Sequence, residues 1–95
     1  MITKKEALSL AKKVHLNLDV VGLDQWIDGL NTELEHGAKL GESTNITHNN
    51  KVITAMIALA HLIEDPKYYV RLNKMEDQAK KYWKGKEKPK VIINN

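Results

Sequence analysis

The chain contains no cysteine and no phenylalanine in its 95 residues. Without cysteine there is no disulfide scaffold, no thiolate zinc centre and no cysteine nucleophile. That absence fits a reducing, cytoplasmic setting. Without phenylalanine the core has to come from Leu, Ile, Val, Met, Trp26, Trp83 and three tyrosines. No apolar run approaches the roughly 18–20 residues of a membrane span, and the opening MITKKEAL lacks the apolar stretch of a signal peptide. No membrane partner is therefore expected. The five glycines are scattered and form neither G-x-G-x-x-G nor a P-loop. Ser9 and Ser43 are the only serines, and neither sits in a nucleophile elbow. Charge of one sign is scarce too: the net charge is +3, and Lys84, Lys86, Lys88 and Lys90 against Glu87 account for all of it. The body is near neutral, unlike the basic stripe of a dedicated duplex binder.

Helical periodicity dominates what is present, and it predicts four helices. The first runs from about Thr3 to Val14. Thr3 and Glu6 have the spacing of a capping box, and Ala7, Leu8, Ala11 and Val14 form a narrow apolar stripe. The connection HLNLDVVGLD reads as a packed loop with room for one helical turn. The second helix, from about Asp24 to His36, carries Leu23, Ile27, Leu30 and Leu34 on one face, with Trp26 beside it. Gly37 stands where a left-handed C′ glycine ends a helix. Gly29, unfavourable inside a helix by about 1 kcal/mol, points to the close approach of another backbone.

Residues 38–50 are loop-like, with Asn45, Thr47 or Asn49 as caps for a third helix from about Asn50 to Glu64. Val52, Met56, Leu59 and Ile63 form one apolar row there, and Ile53, Ile57 and Ala60 another. A helix apolar over more than half its circumference is expected at the centre of the fold. Pro66 breaks the chain after Asp65, which is expected to cap a fourth helix from about Pro66 to Trp83. On that helix Tyr68, Leu72, Met75, Ala79 and Tyr82 follow a 4-3-4-3 spacing, with Tyr69, Glu76 and Trp83 in the next row. Residues 1–83 thus form one all-α, compact four-helix domain, and 84–95 a flexible basic tail.

Two polar pairs interrupt the helices. Glu33 and His36 are three residues apart before Gly37, and His61 and Glu64 repeat the spacing in reverse order. Each pair projects from one side of its helix. Glu-x-x-His pairs hold metal ions in di-metal helical bundles, so a divalent metal ion held by Glu33, His36, His61 and Glu64 is one reading. A polar network bracing two helices, with no cofactor, is the other; His61, set in the most apolar helix, needs a partner either way. His36 in a last turn also complements the helix dipole. Tyr68 and Tyr69, with Arg71 close behind, raise a nucleic-acid reading through stacking on bases, with Lys84, Lys86, Lys88 and Lys90 as a salt-sensitive phosphate contact. The alternative is that both tyrosines anchor the helix with their hydroxyls wet.

The combination GLNTELEHG, then TNIT, then MIALAHLIEDPKYYVRLNKME resembles a family of small all-helical domains found in bacteria, phages and large DNA viruses, without a known activity. The family pattern is E-L-E-H-G, T-N-V-T and I-A-L-A-H-L-x-E-x-P-x-Y-Y-x-R-L, and the match covers roughly residues 29–76. It takes in Glu33, Glu35, His36, Gly37, Thr44, Asn45, Thr47, His61, Glu64, Pro66, Tyr68, Tyr69 and Arg71. After TNIT the chain reads HNNK, where the family pattern tends to acidic residues and proline. The resemblance implies that Glu33, His36, His61 and Glu64 meet in space. It implies no activity; the function expected of the chain as a whole is that of a small non-enzymatic interaction module, a viral or phage accessory protein. Such a module would meet a protein partner, or a second copy of itself, through the 38–50 loop with Asn45 and Thr47, and through Tyr68, Tyr69 and Arg71.

Overall fold

The computed structural model describes residues 1–37 and 45–91. The regular structure of those residues is all helical, with no strand among them. Thr44, Glu42, the rest of 38–44 and residues 92–95 lie outside the described residues. Helix α1 (Lys4–Lys13) starts on the expected capping box: Thr3 Oγ1 accepts from the Glu6 N–H and Glu6 Oε1 from the Thr3 N–H, both at 3.1 Å. Ala7, Leu10 and Ala11 are its buried residues; Leu8 points outward. His15, at φ 60°, turns the chain into the single-turn helix α2 (Leu18–Val21). Gly22, at φ 83°, then joins α2 directly to α3 (Leu23–Glu33). The HLNLDVVGLD connection is therefore mostly helical, and the described residues form five α-helices where four were expected.

Helix α3 buries Trp26, Gly29, Leu30 and Glu33, which follow the i, i+3, i+4, i+7 spacing of one face. That face is rotated from the all-leucine one: Leu23, Ile27 and Leu34 pack at its margin, and Trp26 is its centre. The Trp26 indole N–H donates to the Ala7 carbonyl at 2.9 Å, so a fully buried indole leaves no donor unmet. A 3₁₀ turn (Leu34–His36) follows α3 without a break. Gly37 does not take the expected left-handed conformation, since its φ is −89°. A Cβ there would meet the amide of the Asn49 side chain and crowd the Leu34 carbonyl, so what the glycine accommodates is a close approach and not a left-handed φ.

Helix α4 (Lys51–Glu64) is capped by Asn50 itself, whose Oδ1 accepts from the Val52 and Ile53 N–H groups at 3.0 Å. Its buried residues are Thr54, Ala55, Ala58 and Leu62. The large residues of the expected core rows look the other way: Met56 is 58% and Ile63 73% exposed. Helix α3, not α4, is the hub, packing against α1, α2, α4 and α5. Small side chains on α4 let that packing be close.

Helix α5 (Tyr68–Trp83) starts two residues later than expected. Asp65 caps the turn before it, accepting from the Lys67 N–H at 2.9 Å and from Arg71 Nε at 2.6 Å. The cap on α5 comes from α3: Gln25 Oε1 accepts from the Tyr69 N–H at 3.2 Å, and Gln25 Nε2 donates to the Pro66 carbonyl at 2.9 Å. Asn73 Nδ2 donates to Asp28 Oδ2 one turn on. Positions 25 and 28 of α3 thus match 69 and 73 of α5, and the two helices run parallel. Beyond Trp83 the chain turns at Gly85 (φ 73°), and residues 84–91 are exposed without further helix.

Candidate functional site

Three helices converge on one buried carboxylate. Glu33, at the end of α3, is 2% exposed. The Tyr69 hydroxyl, from the first turn of α5, donates to Glu33 Oε2 at 2.7 Å. His61, near the end of α4, places Nε2 3.7 Å from the same oxygen, a close approach but longer than a hydrogen bond. The His61 ring stacks on Tyr68 with centroids 4.3 Å apart and planes 8° from parallel. Tyr69 meets Tyr68 edge-on at 5.0 Å. Burial first, and then the Glu33 carboxylate at its hydroxyl, push the Tyr69 pKa well above its ordinary value of 10.0.

Local sequence explains how the cluster assembles. Glu33 lies one turn beyond Gly29 on the buried face of α3. The missing side chain at 29 is filled by the Tyr69 ring, whose Cε2 would stand 2.5 Å from a methyl group there. The close approach read from Gly29 is thus made by an aromatic side chain and not by a backbone. Tyr69 is held in turn by Gln25 on its own N–H. His61 is placed opposite because it shares a face of α4 with Ala58 and Leu62, both buried.

The expected Glu/His constellation is therefore half assembled among the described residues. Glu33 and His61 come together. Glu64 is exposed, on the outer side of α4. His36 ends the 3₁₀ turn beside Glu33 in sequence, and its side chain lies outside what the structure describes. Among the described residues no three His, Asp or Glu side chains converge as a metal centre needs. What the cluster does physically is tie α3, α4 and α5 through one carboxylate.

The expected partner surface changes accordingly. Tyr69 is fully buried and Thr47 is 1% exposed, so neither presents a contact to a partner. Thr47 Oγ1 has no hydrogen-bond partner among the described residues, and its carbonyl accepts from the Asn50 N–H at 2.9 Å. Asn45 Oδ1 accepts from the His48 N–H in the turn leading to α4. Tyr68 is half-buried, with one ring face taken by His61; Arg71 is exposed and paired with Asp65. Lys84, Lys86, Lys88 and Lys90 are exposed, and the Lys86 ammonium lies 3.7 Å over the Tyr82 ring.

A different surface emerges from α4. Ile53, Met56, Ala60 and Ile63 recur at i, i+3, i+7 and i+10 on one outward row, with Ile53 42%, Met56 58% and Ile63 73% exposed. The row opens at Ile63 into a groove of about 350 Å³, lined mainly by Val14, Leu16, Val20, Leu59, Ile63 and Pro66. Hydropathy alone places this row in the interior; the structure turns it outward.

A family model matches residues 7–78. No curated protein and no solved structure matches the chain. No helix among the described residues is long and apolar enough to cross a membrane. The chain belongs to the family described as protein of unknown function (DUF5661).

Proposed function

We propose that this DUF5661 domain is a small non-enzymatic interaction module that binds a protein partner along the outer face of α4. The observation that carries the reading is the exposed row Ile53, Met56 and Ile63. Large apolar side chains kept in water over about three turns oppose the burial that drives folding, and a contiguous exposed patch is characteristic of an interaction site. From Ile53 to Ile63 the row rises about 15 Å along the helix. That suits an amphipathic helix laid alongside, with anchors at i, i+3 and i+7 and one of them entering the groove at Ile63. The polar cluster supports the same division of labour: Glu33, Tyr69 and His61 are spent on joining helices, and the apolar row is left for the partner. The setting we propose is that of a viral or phage accessory protein acting inside the cell.

Comparative capture from native cells tests the reading. Met56→Glu and Ile63→Glu alter exposed side chains and should leave the helical circular dichroism unchanged. A protein retained in stoichiometric amount by the unmodified chain should be lost by both variants and kept by Lys88→Glu. If the variants retain the same proteins as the unmodified chain, the α4 face is not the binding surface.

A further inference from the structure

The second apolar surface is the seam of α5. Tyr68, Leu72, Met75, Ala79 and Tyr82 repeat every 3.5 residues on average, the spacing of a coiled-coil seam. The structure leaves the second half of this seam open, while Tyr68 and Leu72 also pack against the core. Met75 is 58% and Tyr82 59% exposed, Ala79 is exposed, and Tyr68 and Leu72 are half-buried. Along its first half runs a groove of about 450 Å³ lined by Asp65, Tyr68, Arg71, Leu72 and Met75.

The helix also leaves the body of the molecule. Its packing partners are α3 and α4, and the residues that reach α3, Tyr69 and Asn73, lie in its first half. Residues 77–82 are exposed on every side. A projecting end of two turns gains little from local helix formation alone. A second helix on the seam would supply the missing packing.

We infer that the chain pairs with a second copy of itself through α5, the two seams packed in parallel about a two-fold axis. Charge selects the occupant and the direction. With Leu72 and Ala79 at a positions and Tyr68, Met75 and Tyr82 at d, Arg71 falls at g and Glu76 at e. In a parallel pair each g position faces the e position five residues on in the partner helix, so Arg71 of one copy meets Glu76 of the other, and two-fold symmetry repeats the contact. An antiparallel pair sets g against g and e against e, so Arg71 would no longer meet Glu76. Ala79 lets the backbones approach closely. Tyr69, which faces α3, lies about 100° round the helix from Tyr68, so the two-fold operation sends the two α3 helices to opposite sides. This pairing uses no residue of the α4 row and stands or falls independently of the function proposed above.

Sedimentation and single-cysteine cross-linking test it, since the chain has no cysteine of its own. The full chain should sediment as a reversible dimer. Met75→Glu, at an exposed position, should weaken that dimer by on the order of tenfold or more with unchanged helical circular dichroism. Ala79→Cys should oxidise readily to a covalent dimer, because residue 79 meets its own copy only in the parallel arrangement. Asp77→Cys, on the outer side of α5, should cross-link far more slowly. A chain monomeric at every concentration would overturn the inference. So would equal cross-linking at 77 and 79, or a dimer dissociated by Ile63→Glu but not by Met75→Glu.

Discussion

Gly29 faces the Tyr69 ring so closely that a methyl group would stand 2.5 Å from Cε2 and 2.7 Å from Cδ2. Two effects oppose each other in a Gly29→Ala variant. Helix propensity favours alanine by about 1 kcal/mol. Overpacking against the Tyr69 ring typically costs about 1–3 kcal/mol. The ring cannot move aside without breaking the buried bond of its hydroxyl to Glu33, so the second effect should win. Gly29→Ala is expected to lower the urea midpoint with an unchanged slope; a raised midpoint would mean the ring relocates freely. At this scale the sequence was informative wherever chemistry needs a partner. A glycine inside a helix signalled close approach, and a histidine in an apolar helix signalled a polar neighbour, here Glu33 at 3.7 Å. Gln25 carried no such signal, because a side chain that caps a helix 44 residues away leaves no local pattern.

Helix existence was legible at the scale of elements, and helix orientation was less so. Caps and breaks are local: Thr3 with Glu6 and the Asp65-Pro66 boundary are legible directly, and Gly85, just past the Lys84 cap, marks the stop of α5. Which face of α4 is buried depends instead on how closely α3 approaches. Close approach selects Thr54, Ala55 and Ala58, the residues that a hydropathy pattern weights least. Helices α1 and α4 are also linked at their starts by the ion pair of Glu6 with Lys51. That bond to Lys51, followed by the Thr3 N–H, lowers the Glu6 pKa from 4.5 to about 2. A carboxylate lowered in the folded state contributes stability above its unfolded value, and the contribution is lost as pH falls through the folded one. The thermal midpoint of the unmodified chain should therefore fall more steeply between about pH 4.5 and 2 than that of Glu6→Gln. The difference should be small, because the pair is solvent-exposed. Parallel curves for the two proteins would show that Lys51 and Glu6 do not pair in solution.

For the whole molecule, the helical class followed from composition and periodicity, but the centre did not. The most apolar helix was expected there, and α3 occupies it because it alone carries both Trp26 and the carboxylate that α4 and α5 reach. A single cluster joining three helices makes a global prediction. In the unfolded chain the Tyr69 hydroxyl ionises near 10, whereas the folded state holds its proton to higher pH. Above about pH 10 the unfolded state alone sheds this proton, so stability is present below that pH and declines as pH rises past it. One tyrosine equivalent of phenolate absorbance should appear together with the loss of helical circular dichroism, and not before it. Tyr69→Phe should abolish that coupled step. At neutral pH the same variant should cost about 1–3 kcal/mol, because a buried carboxylate loses its 2.7 Å donor. Ionisation of all three tyrosines while the helices persist would show that Tyr69 is open to water and that the three helices are not joined through it.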